Sequence, residues 1–158
     1  MDRSAAVRSQ LEDEWIPTIY ANKVRIQRTR SYALDVPVRE NVAEIQYTLL
    51  GIELKVGKRR FACPDLATAR YLRVFARLGC NEVAVPYDIT RISAVADELE
   101  TSWHRMMLII DTATADLSRS GKTRSRNEVL HTMRKELSEI GAGAAMPEFT
   151  RETRQRNV

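Results

Sequence analysis

Apolar residues recur every three or four positions from Asp88 to Leu117, a stretch without proline or glycine. Asp88 or Thr90 supplies a suitable N-cap for a helix over this range. Such a helix would be about 45 Å long, whereas a domain of this size has a radius of gyration of only about 15 Å. The pattern therefore predicts a helix that spans the domain, protrudes from it or pairs with a second copy.

Strict alternation of apolar and polar residues predicts β-strands before this helix. Ile45–Leu50 and Ile52–Val56 both alternate, and Gly57 with Lys58 separates the second run from Arg59–Cys63. A two-residue Gly-X link between alternating runs is typical of a type II′ hairpin. We therefore expect a small, mainly antiparallel sheet.

The segment before this sheet has weaker signals. Good helix formers predict a short helix from Ser4 to about Glu14, ending before Pro17. Val24, Ile26 and Arg28 then alternate with basic residues, which predicts a half-exposed strand or extended arm.

Two further helices and one strand complete the pattern. Asp65 is a suitable N-cap for a helix that stops at Gly79, and Glu82–Pro86 reads as a short strand. We expect the residues from Ser118 to Arg126 to form a polar, basic loop. Ser125 with Glu128 then forms a capping box for the last helix.

These elements predict an α+β fold in which a small, mainly antiparallel sheet with packed helices is followed by a long helix and a C-terminal helical hairpin. We expect residues 1–87 to form the sheet region and residues 88–141 the helical hairpin packed on it, within one domain. Residues 142–158 lack an apolar period and predict a flexible tail.

Five consecutive apolar residues, Met106 to Ile110, predict that the long helix is covered on more than one side. The last helix, folding back on the first, could supply all of that cover. Because the two helices differ in length, we favour a homodimer instead. Its expected interface consists of Trp103, Met106, Met107 and Ile110.

Composition excludes several classes of protein. The 44% hydrophobic and 29% charged fractions are ordinary for a folded soluble domain. No apolar run approaches the about 20 residues that span a bilayer, and the charged N-terminus does not resemble a signal peptide. We therefore expect a cytoplasmic protein without a membrane partner. Cys63 and Cys80 are expected to be reduced and buried, and no zinc motif or other cofactor site is predicted.

The formal net charge of +4 is modest, but the basic residues are clustered. Arg70, Arg73 and Arg77 share one face of the predicted helix before Gly79, where they could either contact phosphates or pair with Glu98 or Glu100. The candidate nucleic-acid contacts are Arg59, Arg60, Arg70, Arg73, Arg77, Lys122, Arg124 and Arg126.

Two short motifs suggest enzymes. Glu53 and Lys55 resemble the E-x-K half of the restriction-endonuclease-like motif, and with Asp35 they would form a magnesium-dependent nuclease site. The alternative is a solvated strand face. Arg126 and His131 resemble the signature of HEPN-type ribonucleases, which implies an all-helical bundle whose arginine and histidine act on the scissile RNA phosphate.

The leading hypothesis is a non-enzymatic oligomeric interaction or assembly module that contacts nucleic acid, or another protein, through its arginine-rich faces. The magnesium-dependent nuclease is the alternative.

Overall fold

The computed structural model describes residues 3–34 and 42–143 and has an α+β fold. Asp35 and residues 144–158 of the expected tail lie outside the described residues. No helix in the described part of the chain is both long and apolar enough to span a bilayer.

Within the described ranges, five β-strands form two small antiparallel sheets. Strands β2 (Ala43–Thr48), β3 (Gly51–Val56) and β4 (Arg59–Cys63) form a meander, while β1 (Thr29–Ala33) pairs with β5 (Glu82–Pro86). Val56 pairs with Arg59 across the two-residue turn, where Gly57 has a φ of 61°. The predicted Gly-Lys hairpin is therefore confirmed.

The N-terminal segment is helical over most of its length. Helix α1 (Arg3–Leu11) leads through a 3₁₀ turn (Glu12–Glu14) to the short helix α2 (Ile16–Ile19), which continues as a π turn (Tyr20–Val24). The strand predicted through Val24, Ile26 and Arg28 is wrong in position, because strand β1 begins only at Thr29. Pro17 starts the second helix, and a proline in a first helical turn removes no hydrogen bond that the helix needs.

Three longer helices follow, α3 (Leu66–Leu78), α4 (Ile89–Ala113) and α5 (Arg119–Ile140). The N-cap carboxylates of α3 and α4 act as the sequence predicts. Asp65 accepts a hydrogen bond from the Thr68 amide at 2.7 Å, and Asp88 accepts one from the Thr90 amide at 2.9 Å. Gly79 ends α3 in the left-handed region, with φ 82°.

The prediction of a basic loop from Ser118 to Arg126 is wrong. Helix α5 begins at Arg119, because the Ser118 hydroxyl accepts a hydrogen bond from the Gly121 amide at 3.2 Å and caps the helix earlier than Ser125 would.

Helix α3 lies at the centre of the fold, packing against the three-stranded sheet and against α4. Its Phe75 ring lies 5.6 Å from Tyr20 and 5.0 Å from Tyr71 between ring centroids. The Tyr20 hydroxyl donates to the Gly141 carbonyl and accepts from the Ala84 amide, both at 2.9 Å. One buried phenol therefore connects the N-terminal segment, β5 and the end of α5.

Helix α1 covers part of the helical hairpin. The sequence predicts instead that the sheet or a second subunit covers this part. It contacts both α4 and α5. The Ser4 hydroxyl donates to Thr132 at 2.9 Å, and Arg3 donates to the Ala113 carbonyl at 3.4 Å. Just beyond α1, the Trp15 indole donates to Glu136 at 2.9 Å.

Candidate nucleic-acid interface

Two of the arginines on α3 are bound to carboxylates of α4. Arg70 donates to Glu100 Oε1 from Nε at 3.1 Å and from Nη2 at 2.6 Å, and Arg73 donates to Glu100 Oε2 at 2.8 Å. Arg70 also donates to Asp97. All of these bonds bridge α3 and α4, so they hold the two helices together.

This cluster is partly buried. The Glu100 side chain is only 18% exposed. Burial alone would raise the pKa of Glu100, but the hydrogen bonds from Arg70 and Arg73 outweigh it and hold the pKa below its usual range. The hydrogen bonds that Arg70 donates to Glu100 and to Asp97 raise the pKa of Arg70. The sequence offered Glu98 or Glu100 as partners for the α3 arginines. In the structure Arg70 and Arg73 pair with Glu100, whereas Glu98 pairs with Lys23 at 2.6 Å.

Arg77, the third arginine of this face, lies against an aromatic ring. Its guanidinium carbon is 5.8 Å from the centroid of the Trp103 ring, within the range of a cation–π contact. Burial, followed by the charge of Arg73, lowers the pKa of Arg77. The face of α3 that the sequence offers to phosphates is thus mainly an internal contact between helices.

The basic residues of the β3–β4 hairpin also have partners. Arg59 lies 5.3 Å from the Phe61 ring centroid, and Arg60 lies 3.7 Å from Glu53. In the strand register, Lys55 lies opposite Glu44 on β2 and opposite Arg60 on β4. The outer face of this sheet therefore carries alternating charge.

The same face contains two of the three residues of the nuclease hypothesis. Glu53 and Lys55 share it, as their alternation predicts. Asp35 lies outside the described residues, so its distance from them is not defined. Within the described ranges, no group of three or more His, Cys, Asp or Glu side chains is placed to hold a metal ion.

The first two turns of α5 carry a second set of basic residues, most of which are more exposed than the arginines of α3. We call this set the basic arm: Arg119, Lys122, Arg124 and Arg126. The first three are exposed and Arg126 is half-buried. None of the four forms an ion pair with another described residue. Ser125 is the first buried residue of the helix, so the preceding residues lie along its exposed beginning.

A shallow groove of about 860 Å³ lies beside two residues of the basic arm. Its wall includes Arg119 and Arg124 with the hydroxyls of Ser118, Ser120 and Thr123. Arginine and hydroxyl side chains at a helix N-terminus are the groups that bind phosphate oxygens in proteins. Lys122, Arg124 and Arg126 are predicted contacts, but the sequence pattern places them in a loop. The signal for a helix here is Ser118, which acts as the N-cap.

The two residues that resemble the HEPN signature do not converge. Arg126 and His131 are five positions apart on α5, which places them about 140° apart around the helix. His131 is exposed and its Nδ1 lies 3.5 Å from Arg134. The fold is α+β rather than an all-helical bundle.

The residues expected at a dimer interface are mostly inside the protomer. The exposed fractions are 7% for Trp103, 0% for Met106 and 2% for Ile110, and Met107 is partly buried. In this part of α4, the large apolar side chain that is mainly exposed is Leu108, at 67%. Helices of the same chain therefore cover most of the band that suggested a partner.

No protein-family model, curated protein or solved structure matches this chain.

Proposed function

We propose that this protein is a non-enzymatic interaction module that contacts the phosphate backbone of nucleic acid through its basic arm. One observation carries the proposal: four basic residues lie within the first eight residues of α5, without a carboxylate partner among the described residues. Cations that are already paired inside a fold gain little from a phosphate, because an existing contact must first be broken. Unpaired surface cations release the counterions of the nucleic acid without that cost.

The basic arm lies at the N-terminus of α5, where the helix itself also favours anions. The first backbone amides of a helix lack internal partners and carry partial positive charge. Ser118 occupies only the Gly121 amide. A phosphate beside Arg119 would therefore meet side-chain donors together with the positive end of α5. This arrangement favours backbone contact, which is independent of base sequence.

The test compares two triple variants that remove the same number of positive charges. The first is Arg119→Ala/Lys122→Ala/Arg124→Ala, which leaves the half-buried Arg126 in place. The second is Lys58→Ala/Arg91→Ala/Lys135→Ala, whose three residues are exposed and lie elsewhere. We expect the first variant to bind a labelled DNA duplex or single-stranded RNA at least about tenfold more weakly. The second should remain close to the wild-type protein.

Equal losses in the two variants would mean that only net charge matters and would remove the basic arm from the proposal. Absence of wild-type binding at low salt would remove nucleic acid altogether. Incubation with Mg²⁺ tests the nuclease alternative in the same samples. Cleavage that disappears in Glu53→Ala would replace the proposed function with that one.

Self-association is the second part of the proposal. In the expected interface region of α4, its support is the exposed Leu108 with the partly buried Met107 beside it. Solution mass measured with and without nucleic acid tests it. A dimer under either condition supports self-association, and a monomer under both removes it.

A further inference from the structure

A cleft of about 650 Å³ lies between the N-terminal segment and α4, and none of its wall belongs to α5. Two ion pairs bridge its walls. Glu14 Oε2 lies 2.6 Å from Arg105 Nη1, and Lys23 Nζ lies 2.6 Å from Glu98 Oε1. Since the two segments run in opposite directions, the wall residues Thr18 and Ser102 lie between these pairs. The cleft is thus already formed in the protein, and its volume is within the range of small-molecule sites.

The wall is rich in hydrogen-bond acceptors and poor in cations. It contains four carboxylates against one ammonium group, and that group, on Lys23, is already bound to Glu98. Glu14 and Asp97 are balanced by Arg105 and Arg70.

Asp13 is the remaining carboxylate of the wall; it is exposed and forms no ion pair with a described residue. An anionic ligand would therefore meet net repulsion here, whereas a ligand with several cationic donors would find acceptors.

Ser102 gives independent evidence for a ligand. It lines the cleft and is only 1% exposed, yet its hydroxyl has no hydrogen-bond partner. A serine inside a helix commonly bonds to the carbonyl four residues earlier, but Ser102 does not. Leaving a buried hydroxyl unpaired is destabilising, and a hydrogen-bond donor bound in the cleft would pair with its oxygen.

We propose that this cleft binds a small aliphatic polyamine. Each ammonium group of such a molecule donates hydrogen bonds and accepts none, which complements Asp13, Glu98 and the hydroxyls of the wall. Its methylene groups would pack on Ile19, the apolar residue of the wall. The carboxylates belong to opposite walls of the cleft, on the 3₁₀ turn and on α4, so a ligand with two or more ammonium groups can reach both.

Calorimetric titration of the full chain with spermidine tests the proposal, with propylamine and Mg²⁺ titrated at matched ionic strength. We expect saturable binding of spermidine, weaker binding of propylamine and no saturable heat with Mg²⁺. Asp13→Asn should weaken spermidine binding about tenfold, because a charge-assisted bond is lost. Asp116→Asn, an exposed carboxylate of the α4–α5 connection, is the matched control and should not change it.

Ser102→Ala separates a ligand contact from a structural role. If the hydroxyl is unpaired in the free protein, its removal should leave the melting temperature unchanged or raise it, while spermidine binding weakens. A lowered melting temperature with unchanged binding would contradict the proposal. So would a saturable Mg²⁺ heat that competes with spermidine, because it would mark the cleft as a general cation site. Spermidine binding that is the same in Asp13→Asn as in the wild-type protein would also overturn it.

Discussion

Helices α3 and α5 both carry clustered arginines, but the structure gives the two clusters opposite environments. On α3, Arg70 and Arg73 bind Glu100 in the contact with α4. On α5, the basic arm lies along the exposed start of the helix and forms no ion pair with a described residue. Residue type and helical spacing are nearly the same in the two places. What differs is the surroundings: α4 offers carboxylates to the α3 cluster, whereas no carboxylate among the described residues pairs with the basic arm.

From this comparison we propose that the first cluster contributes stability and that the second contributes binding. Partly buried guanidinium groups with charged partners hold helices together. Removing one partner leaves the other charge unpaired and partly buried, which is costly. Exposed guanidinium groups without partners contribute little to stability and are available to a ligand. Variants of each cluster should therefore change different measurements.

The largest effect is expected for Glu100→Gln. This substitution removes the carboxylate that accepts three hydrogen bonds from Arg70 and Arg73 and leaves both guanidinium groups partly buried. We expect the free energy of unfolding to fall by about 2 kcal/mol, measured by urea denaturation. The matched control is Glu98→Gln, which breaks the more exposed pair with Lys23 and should cost less than about 1 kcal/mol. Equal losses for the two variants would contradict the account of the α3–α4 contact.

Arg73→Ala should separate stability from binding. It removes one bond to Glu100 and should lower the free energy of unfolding by about 1–2 kcal/mol. Its affinity for nucleic acid should stay within about twofold of the wild-type value, because the guanidinium already has a partner. A large loss of affinity without a loss of stability would mean that this face of α3 contacts nucleic acid. Fluorescence anisotropy and urea denaturation give the two readouts.

Acid should weaken the wild-type protein more than Glu100→Gln. The folded-state pKa of Glu100 lies below its ordinary value of 4.5. The stability that this depression contributes is therefore present above pH 4.5 and is lost as the pH falls through the folded-state pKa. The variant lacks this contribution, so the difference in unfolding free energy between the two proteins should shrink below that pH. A difference that is constant across this range would show that Glu100 titrates alike in both states.

The smallest effect is expected for Ser118→Ala. Loss of the N-cap should cost about 1 kcal/mol at the start of α5 and loosen the turns that carry the basic arm. We expect nucleic-acid affinity to fall by about threefold, while the control Ser138→Ala, exposed near the other end of the helix, leaves it unchanged. A chemical-shift or hydrogen-exchange measurement on residues 119–124 should show the loss of order directly.

Much of the fold could be predicted because its signals are local. Asp65 and Gly79 bound α3, and a glycine sets the two-residue turn between β3 and β4, so short-range geometry decides both elements. Helix α2 and the π turn after it are not predicted, because a proline commonly marks the end of a helix, whereas Pro17 lies in the first turn of α2. Ser118 was missed because Ser125 with Glu128 matches the capping pattern better than the cap that forms.

The candidate site could be predicted only in part, since its distinguishing property is not local. The sequence identifies Lys122, Arg124 and Arg126 as basic, and it identifies Arg70 and Arg73 in the same way. Whether an arginine has a partner depends on how α3 and α4 approach each other. The pairing partner Glu100 was one of two candidates about half a helical turn apart, and the fold decided between them.

The salt dependence of nucleic-acid binding tests the central claim most directly. The logarithm of the binding constant falls by about 0.9 per phosphate contact for each unit of log salt concentration. The slope of Arg119→Ala/Lys122→Ala/Arg124→Ala should therefore be shallower than the wild-type slope by up to about 3, while Arg73→Ala keeps the wild-type slope. A wild-type slope in the triple variant, or a shallower one in Arg73→Ala, would contradict the assignment of binding to α5 and stability to α3.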